Sequence, residues 1–155
     1  MKKTNAMRLL DRSKVEYKAI TYEVDQSDLS AIHVAKSLNQ DISKVFKTLV
    51  LEGDKTGFLV ACIPGAEEVH IKKLATLSGN KKCAMIPMKD IFKVTGYIRG
   101  GCSPFAMKKQ FPTFIDKSAL LFQKIYVSAG VRGMQIEITP GDLIKLTNAQ
   151  TGELT

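Results

Sequence analysis

Apolar residues recur along the chain with spacings that distinguish strands from helices. The runs VFKTLVLE and GFLVACIP flank the turn GDKTG and predict a β-hairpin. Residues 15–23 and the segments CAMIP, PTFID, KIYVSAG and MQIEITP predict further strands. The irregular mixture of strands and helices, with at least one hairpin, favours a mixed sheet in an α+β domain over a doubly wound parallel fold.

Helical spacing combined with capping residues predicts five helices. They are a segment capped by Thr4 with Met7, Leu9 and Leu10; a segment from Ser30 to Asn39 with Ile32, Ala35 and Leu38 on one side; residues 67–77 ended by Gly79; residues 89–94; and a last helix from Thr139 and Pro140 to about Leu146.

Composition indicates one domain over residues 1–155. Hydrophobic residues make up 45% of the chain and charged residues 25%, as in an ordinary globular protein. No apolar run approaches the roughly 18 residues that a membrane span needs. The start, MKKTNAMRLLDRS, lacks the apolar core of a signal peptide, so we expect a cytoplasmic protein that does not enter a membrane.

The formal net charge of +8 is distributed along the chain. Lysine pairs lie at 2–3, 72–73, 81–82 and 108–109, which indicates a basic face on the folded protein rather than a basic tail. Such a face would attract a polyanion such as nucleic acid. A solvated surface and, less readily, an anionic membrane remain alternatives at this point.

The cysteines and histidines do not form a metal or disulfide pattern. Cys62, Cys83 and Cys102 give an odd count without CxxC spacing, and His33 and His70 lie 37 positions apart. We therefore expect free thiols and no metal. Cys102 as a nucleophile would need a nearby base, and neither histidine is close to it in sequence.

Lys47 and two adjacent glycines are the first candidates for chemistry. Alternation along VFKTLV puts Lys47 on an apolar face, where an ammonium needs an anion or water. It could instead extend to solvent or guard a strand edge. Gly100 and Gly101 allow the backbone to approach a ligand closely, although an ordinary loop with the turn Ser103-Pro104 has the same composition.

A second candidate segment is VSAGVRG, at the end of a predicted strand. It offers Ser128, Gly130 in a Gly-x-x-Gly spacing, and Arg132 for a phosphate or carboxylate. A hairpin turn with a surface arginine would look the same. Tyr22 closes another predicted strand, either at a site or as an ordinary half-buried tyrosine.

Five blocks of the chain together resemble a known family. The blocks are KTNAMRLLD, ITYEVD, VFKTLV, GYIRGGCSPFAMKKQFPTFID and YVSAGVRGMQIEITPGDL. They resemble the stand-alone Cys-tRNA(Pro) deacylases, relatives of the editing domain of bacterial prolyl-tRNA synthetases, over nearly the whole chain. The resemblance implies a single α+β domain with a mixed, barrel-like β-sheet surrounded by helices.

The resemblance also implies the site and the partners. Lys47 is the expected catalytic residue, and no cofactor is expected. The expected substrate-binding residues are Tyr22, Gly100, Gly101, Ser103, Pro104, Ser128, Gly130, Arg132 and Gln135. The expected partner is the acceptor end of aminoacyl-tRNA, with prolyl-tRNA synthetase as a further candidate, and the oligomeric state stays open.

The chemistry that the resemblance implies uses no enzyme nucleophile. The thiol of the substrate attacks its own ester carbonyl and leaves as a thiolactone, while the protein orients it and offsets charge. Gln135 replaces an aspartate that relatives carry, and Ala129 replaces a glycine. Because glutamine has no negative charge, a contact with the substrate amino group would weaken, and the preference for cysteine is less firmly implied than editing.

Two other hypotheses stay open from the sequence. A non-catalytic tRNA-binding or synthetase-binding module with the editing fold would bind tRNA without releasing an amino acid. A cysteine hydrolase acting on small esters or peptides would depend on Cys102.

Overall fold

The computed structural model describes residues 2–155, which form an α+β fold. The helices are α1 (Asn5–Arg12), α2 (Ala31–Leu38), α3 (Ile71–Ser78), α4 (Ile91–Thr95) and α5 (Pro140–Thr147). The strands are β1 (Lys18–Thr21), β2 (Phe46–Gly53), β3 (Gly57–Pro64), β4 (Cys83–Met85), β5 (Thr113–Asp116), β6 (Ile125–Ser128), β7 (Met134–Ile138) and β8 (Gln150–Gly152). Short 3₁₀ helices cover Ile42–Lys44, Met88–Asp90 and Lys117–Leu121. None of the helices in this described range is long and apolar enough to cross a bilayer.

The strands form two sheets that meet at one point. One sheet has the antiparallel order β1-β7-β6, and the other has the mixed order β4-β2-β3-β5-β8. A parallel bridge between Val45 and Tyr126 links the start of β2 to β6. The predicted α+β class and the mixed sheet are confirmed. The two sheets do not close into a barrel, because β1 and β8 are edge strands.

Four apolar clusters hold this arrangement together, one of which, formed by Val50, Ile86 and Val94, lies beside α4. The largest fills the space between α1, α5 and one face of the sheets, with Met7, Leu10, Val60, Phe105, Ile115, Ile136 and Leu143 fully or almost fully buried. A second lies under α3 on the opposite face of β2 and β3, and a third lies under α2. Consequently α2 and α3 cover the same face of β2 at different points along the strand.

The predicted helix starts at three capping residues are confirmed. The hydroxyl oxygens of Thr4, Ser30 and Thr139 each accept a backbone N–H from the first turn, at 3.2 Å in all three cases. Each cap satisfies one of the donors that a helix start leaves without a partner. The predicted ends at Asn39 and Gly79 are confirmed as well, since both residues adopt the left-handed conformation.

Three predicted details are wrong, and one strand was not predicted. Helix α3 begins at Ile71 rather than at residue 67, because the His70 ring nitrogen Nδ1 accepts the N–H of Lys73 and caps the helix there. Strand β1 covers only Lys18–Thr21, the residues that pair with β7. Ile32 on α2 is 47% exposed, and Val34 is buried instead. Strand β8 has no counterpart in the predicted elements, since QTG carries no apolar signal.

A close backbone contact seats α2 against the end of the hairpin. The N–H of Gly65 donates to the carbonyl of Val45 at 2.8 Å. A Cβ at Gly65 would lie 2.2 Å from the Cβ of Ala31, the first residue of α2. Only a glycine therefore fits between the helix and the strand.

We predict that Gly65→Ala lowers the free energy of unfolding by roughly 1–3 kcal/mol, because the added methyl group must displace α2. Gly141→Ala is the matched control, since nothing lies within 4 Å of a Cβ there. Denaturant unfolding of the two variants measures the difference. Equal stability of both would show that α2 is not held by this contact.

Candidate functional site

The bridge between Val45 and Tyr126 sets the register of polar residues across four strands. Ser128 of β6 pairs with Gln135 of β7, and Gln135 pairs with Ile20 of β1. Two residues beyond the parallel bridge, Lys47 of β2 is level with Ser128. Since paired strands lie about 4.8 Å apart at a bridge, Lys47, Ser128 and Gln135 form one transverse polar row.

The side chains of this polar row lie on one side of the sheets. Val45 and Tyr126 both pack in the cluster under α2, so both point to that side. Alternation places Lys47 on the same side as Val45, and Ser128 on the same side as Tyr126. Directly paired residues share a face, which adds Gln135. The ring of Tyr22 packs in the same cluster.

Gln135 is the most unusual member of the polar row. Its side chain is 5% exposed, and its amide oxygen Oε1 has no hydrogen-bond partner within residues 2–155. An unpaired buried acceptor of this kind costs about 1–3 kcal/mol. Ser128 beside it is 9% exposed, and its hydroxyl oxygen accepts the N–H of Gly130 at 3.1 Å. The row thus contains a buried acceptor that lacks a donor.

Lys47 is half-buried opposite Ile63 of β3. Its ammonium makes no hydrogen bond or ion pair with the part of the chain that the structure describes. The ion pairs of that part join Lys3 to Asp11, and Lys73 and Lys117 to Glu153. A half-buried ammonium without a protein partner is available to an anion or to a polarised oxygen.

The loop that carries Gly100 and Gly101, which we call the glycine loop, packs against the turn between β6 and β7. A Cβ at Gly101 would lie 3.1–3.2 Å from the backbone of Val131 and Arg132. Gly100, at φ +81°, lies against Leu29, just before α2. The N–H of Tyr22 donates to the carbonyl of Gly133 at 2.9 Å. The loop, the turn and the end of β1 therefore meet next to Ser128 and Gln135.

Arg132 joins three segments at this meeting point. Its Nε donates to the carbonyl of Arg99 at 2.8 Å, and its Nη1 donates to the Gln26 side-chain oxygen at 3.0 Å. Two of its five N–H groups thus hold the glycine loop and the segment after β1 in place. The other N–H groups of the guanidinium make no hydrogen bond with residues 2–155. Arg132 is a positioning residue in this structure.

Tyr97 and Gln26 contact predicted site residues, although the sequence did not single them out. The Tyr97 ring lies under Gly130, where a Cβ would be 2.8 Å from Cε1. Its hydroxyl donates to the carbonyl of Phe105, and burial raises the pKa of this phenol to about 12. The spacing GYIRGG marks Tyr97 as a loop aromatic, whereas no pattern marks Gln26.

Ser103 and Pro104 are buried parts of the loop. The Ser103 side chain is 0% exposed, and its hydroxyl oxygen accepts the N–H of Phe105 at 3.3 Å. Pro104 lines a cavity of about 210 Å³ next to Leu9 and Leu146, on the side of α1 and α5. Both residues shape the loop from beneath, and direct contact of their side chains with a substrate stays a prediction.

Cys102 has the environment of a packing residue. It lies against Val50, Ile86 and Val94, and burial raises the pKa of its thiol to about 11. The thiol is therefore protonated at neutral pH, which argues against a nucleophile. Cys62 and Cys83 are buried and free as well.

Metal ligands and cavities do not define this site. Among residues 2–155, no group of three or more His, Cys, Asp or Glu side chains could hold a metal ion. Lys47, Gly100 and Gln135 line none of the cavities of about 450, 230 and 210 Å³, and of the expected site residues only Pro104 lines one, the last.

The arrangement combines one cation, one unpaired acceptor and a close-packed main chain. The Lys47 ammonium can offset charge on an ester carbonyl or phosphate oxygen. The Gln135 amide oxygen can accept from an ammonium or hydroxyl group. Backbone groups at Gly100 and Gly101 can lie against a flat ligand. These groups suit the binding and polarisation of a charged ester.

Comparison with known proteins identifies the family. The model of the aminoacyl-tRNA editing domain matches residues 28–146. A relative from Enterococcus faecalis, named as a proposed Cys-tRNA(Pro)/Cys-tRNA(Cys) deacylase, EbsC, is 52% identical and covers 99% of this chain and 93% of its own. The proline–tRNA ligase of Thermosipho africanus is 33% identical over 49% of this chain and 13% of its own.

A solved structure supports the same conclusion about the fold. It is described as a proposed trans-editing enzyme for prolyl-tRNA synthetase and superimposes with a TM-score of 0.82 over 99% of both chains. At 20% identity this likeness concerns the fold alone. Together, the match of the family model and the close relative show that the chain belongs to the aminoacyl-tRNA editing domain family.

Proposed function

We propose that this chain is an aminoacyl-tRNA deacylase that clears mischarged tRNA(Pro), with cysteine as the amino acid removed. Support from sequence comes from the relative named for Cys-tRNA(Pro) and Cys-tRNA(Cys), at 52% identity over nearly the full length. The structural observation that carries the proposal is the polar row of Lys47, Ser128 and Gln135 beside the glycine loop.

The polar row and the glycine loop bind different parts of the substrate. The terminal adenosine lies against the main chain at the exposed Gly100, and the buried Gly101 holds the loop against the turn between β6 and β7. The α-ammonium of the amino acid donates to the unpaired Gln135 oxygen. The Lys47 ammonium then lies near the ester carbonyl or the adjoining phosphate. The ammonium of the substrate thus meets an acceptor oxygen, and its carbonyl or phosphate oxygen meets an ammonium.

The ester is cleaved by the thiol of the substrate. After loss of its proton to solvent, the sulfur forms a bond to the ester carbonyl carbon, and the bond from this carbon to the ribose oxygen breaks. The ribose oxygen takes up a proton, so the products are free tRNA and a cysteine thiolactone, which water then opens. Holding the sulfur near the carbonyl raises its effective concentration, and Lys47 offsets the charge that develops on oxygen.

We predict that Lys47→Ala lowers the deacylation rate of Cys-tRNA(Pro) by about 10²–10³, the usual cost of losing one group that stabilises developing charge. Lys72→Ala, an identical change at an exposed lysine of α3, and Cys102→Ala are the controls, and both should stay near the wild-type rate. Single-turnover assays with labelled cysteine measure the rates.

Three results would contradict parts of this assignment. Equal rates for Lys47→Ala and Lys72→Ala would remove Lys47 from the mechanism. A large loss in Cys102→Ala would restore the cysteine hydrolase. Salt-sensitive tRNA binding by the wild type, without release of any amino acid, would indicate the non-catalytic module instead.

We predict that Gln135→Leu lowers kcat/KM for the cysteinyl ester by roughly 10- to 100-fold, because a hydrogen bond to a charged group is worth about 1.5–3 kcal/mol. Gln135→Glu keeps the acceptor oxygen and should retain most of the activity. The assay compares cysteinyl, alanyl, seryl and prolyl esters of tRNA(Pro). Loss of the same size in both variants, or equal clearance of the prolyl ester, would contradict the role of Gln135 and the specificity.

A separate part of the proposal concerns prolyl-tRNA synthetase. The alignment with a proline–tRNA ligase covers 13% of that protein, which fits an editing module carried within a larger synthetase. We infer that the present chain supplies this module in trans, on tRNA that the synthetase has released. This mode of action requires no stable complex between the two proteins.

A further inference from the structure

A pocket away from the polar row combines aromatic rings with lysines. It has a volume of about 230 Å³ and lies between α4 and residues 108–111. We call it the lysine–phenylalanine pocket. Its lining residues are Phe58, Asp90, Lys93, Val94, Lys108, Lys109 and Phe111. Three lysines against one aspartate give it a net charge of +2.

The aromatic part of the pocket consists of two rings in contact. The rings of Phe58 and Phe111 meet edge to face, with centroids 5.9 Å apart and an interplanar angle of 82°. The Phe58 ring packs in the apolar cluster of Val50, Ile86 and Val94, so strand β3 fixes its place. A flat ring entering the pocket would meet one aromatic face and one aromatic edge.

The cations of the pocket are only partly used by the protein. The Lys108 ammonium donates to the carbonyl of Lys93 at 3.2 Å and lies 5.4 Å from the centroid of the Phe92 ring. Lys93 and Lys109 are exposed, and their ammonium groups make no hydrogen bond or ion pair with residues 2–155. At least two positive charges at the rim are therefore available to a ligand.

The pocket and the candidate site share one loop. The N–H of Lys108 donates to the carbonyl of Thr95 at 3.1 Å, and the Lys108 side chain lies over Gly96. These contacts close the loop whose other part carries Gly100 and Gly101. Lys108 lies eight positions after Gly100, so the two positions are at most about 29 Å apart, at ~3.6 Å per residue.

We propose that the lysine–phenylalanine pocket binds an unpaired nucleotide of the tRNA substrate, upstream of the aminoacylated end. The base lies against Phe58 and Phe111, and the adjoining phosphates meet Lys93 and Lys109. Stacking of a base on an aromatic ring is worth about 1–3 kcal/mol and tolerates any base. This inference rests on the proposed function for the identity of the RNA.

The chemistry of the pocket favours RNA over an acidic peptide. Both ligands would satisfy the lysines, but only a nucleotide presents a flat ring and an anion at every unit of its chain. The volume of about 230 Å³ is below the roughly 300–1,000 Å³ of drug-sized ligand sites and suits a single nucleobase. Phe58 lies on the opposite face of the β2–β3 hairpin from Lys47, so a strand that occupies both places passes around the loop of Gly100 and Gly101.

Binding of uncharged RNA tests the pocket without any cleavage. The probe is a hairpin of the tRNA(Pro) acceptor stem with its unpaired 3′ end, titrated from 50 to 300 mM salt. The variant is Lys93→Ala/Lys109→Ala, and the control is Lys72→Ala/Lys145→Ala, which removes the same charge from exposed positions on α3 and α5.

We predict that the pocket variant binds about tenfold more weakly and lowers the slope of log K against log salt by about 1.4–1.8, which is two contacts at 0.7–0.9 each. The control should change Kd less than twofold. Phe111→Leu, which keeps apolar volume, should abolish the fluorescence quenching of a 2-aminopurine placed in the unpaired end.

Several outcomes would overturn the inference. They are equal weakening in both double variants, no weakening in either, unchanged quenching in Phe111→Leu, and the same loss with a blunt hairpin that lacks the unpaired end. Binding of polyglutamate that depends on Lys93 and Lys109, with RNA binding unaffected, would assign the pocket to an acidic peptide.

The same variants separate this inference from the proposed function. Cleavage of a cysteinyl ester of adenosine should be unchanged in Lys93→Ala/Lys109→Ala, since this substrate does not reach the pocket. If the wild type binds RNA but cleaves no ester, and the pocket variant has lost that binding, then the proposed function fails and the pocket still binds RNA.

Discussion

The parallel bridge between Val45 and Tyr126 is the contact on which the site depends. It joins two sheets that are otherwise separate and sets the register of β2 against β6. Because side chains alternate along a strand, a shift of one residue at this bridge would turn Lys47 to the opposite face. The apolar packing of Val34, Val45 and Tyr126 under α2 holds the register.

Close main-chain packing provides the second half of the site. Gly100 and Gly101 lie against the turn between β6 and β7, and the Arg132 side chain fastens that contact to the segment after β1. Gly101 is buried in this contact and Gly100 is exposed, so Gly100 offers main chain to the substrate end that we propose. Such a surface fits the proposed cysteinyl ester. The thiol of that substrate is the nucleophile, so the protein needs to orient it and does not need to supply a reactive group.

The sequence predicted the elements with strong local signals. Capping residues at Thr4, Ser30 and Thr139 and the hairpin around GDKTG were predicted correctly because each depends on nearby residues. The start of α3 was wrong, because a histidine is not an expected N-terminal cap. Strand β8 was missed because its pairing with β5 is a tertiary contact between distant segments.

The residues of the candidate site were named from a family resemblance, whereas their arrangement came only with the fold. No local pattern connects Lys47 with Ser128, which are 81 positions apart and become level through the bridge. No local pattern connects Gln26 with Arg132 either, since the two are 106 positions apart in sequence and meet only in the fold. The buried, unpaired oxygen of Gln135 is a property of packing that no sequence pattern reports.

The most direct test of this account is an NMR titration with a cysteinyl-adenosine analogue whose ester is replaced by an amide. The account predicts large shift changes at Lys47, Gly100, Gly101, Ser128 and Gln135, and none at the exposed face of α3 around Lys72. Changes confined to other surfaces, with the polar row and the glycine loop unaffected, would contradict it.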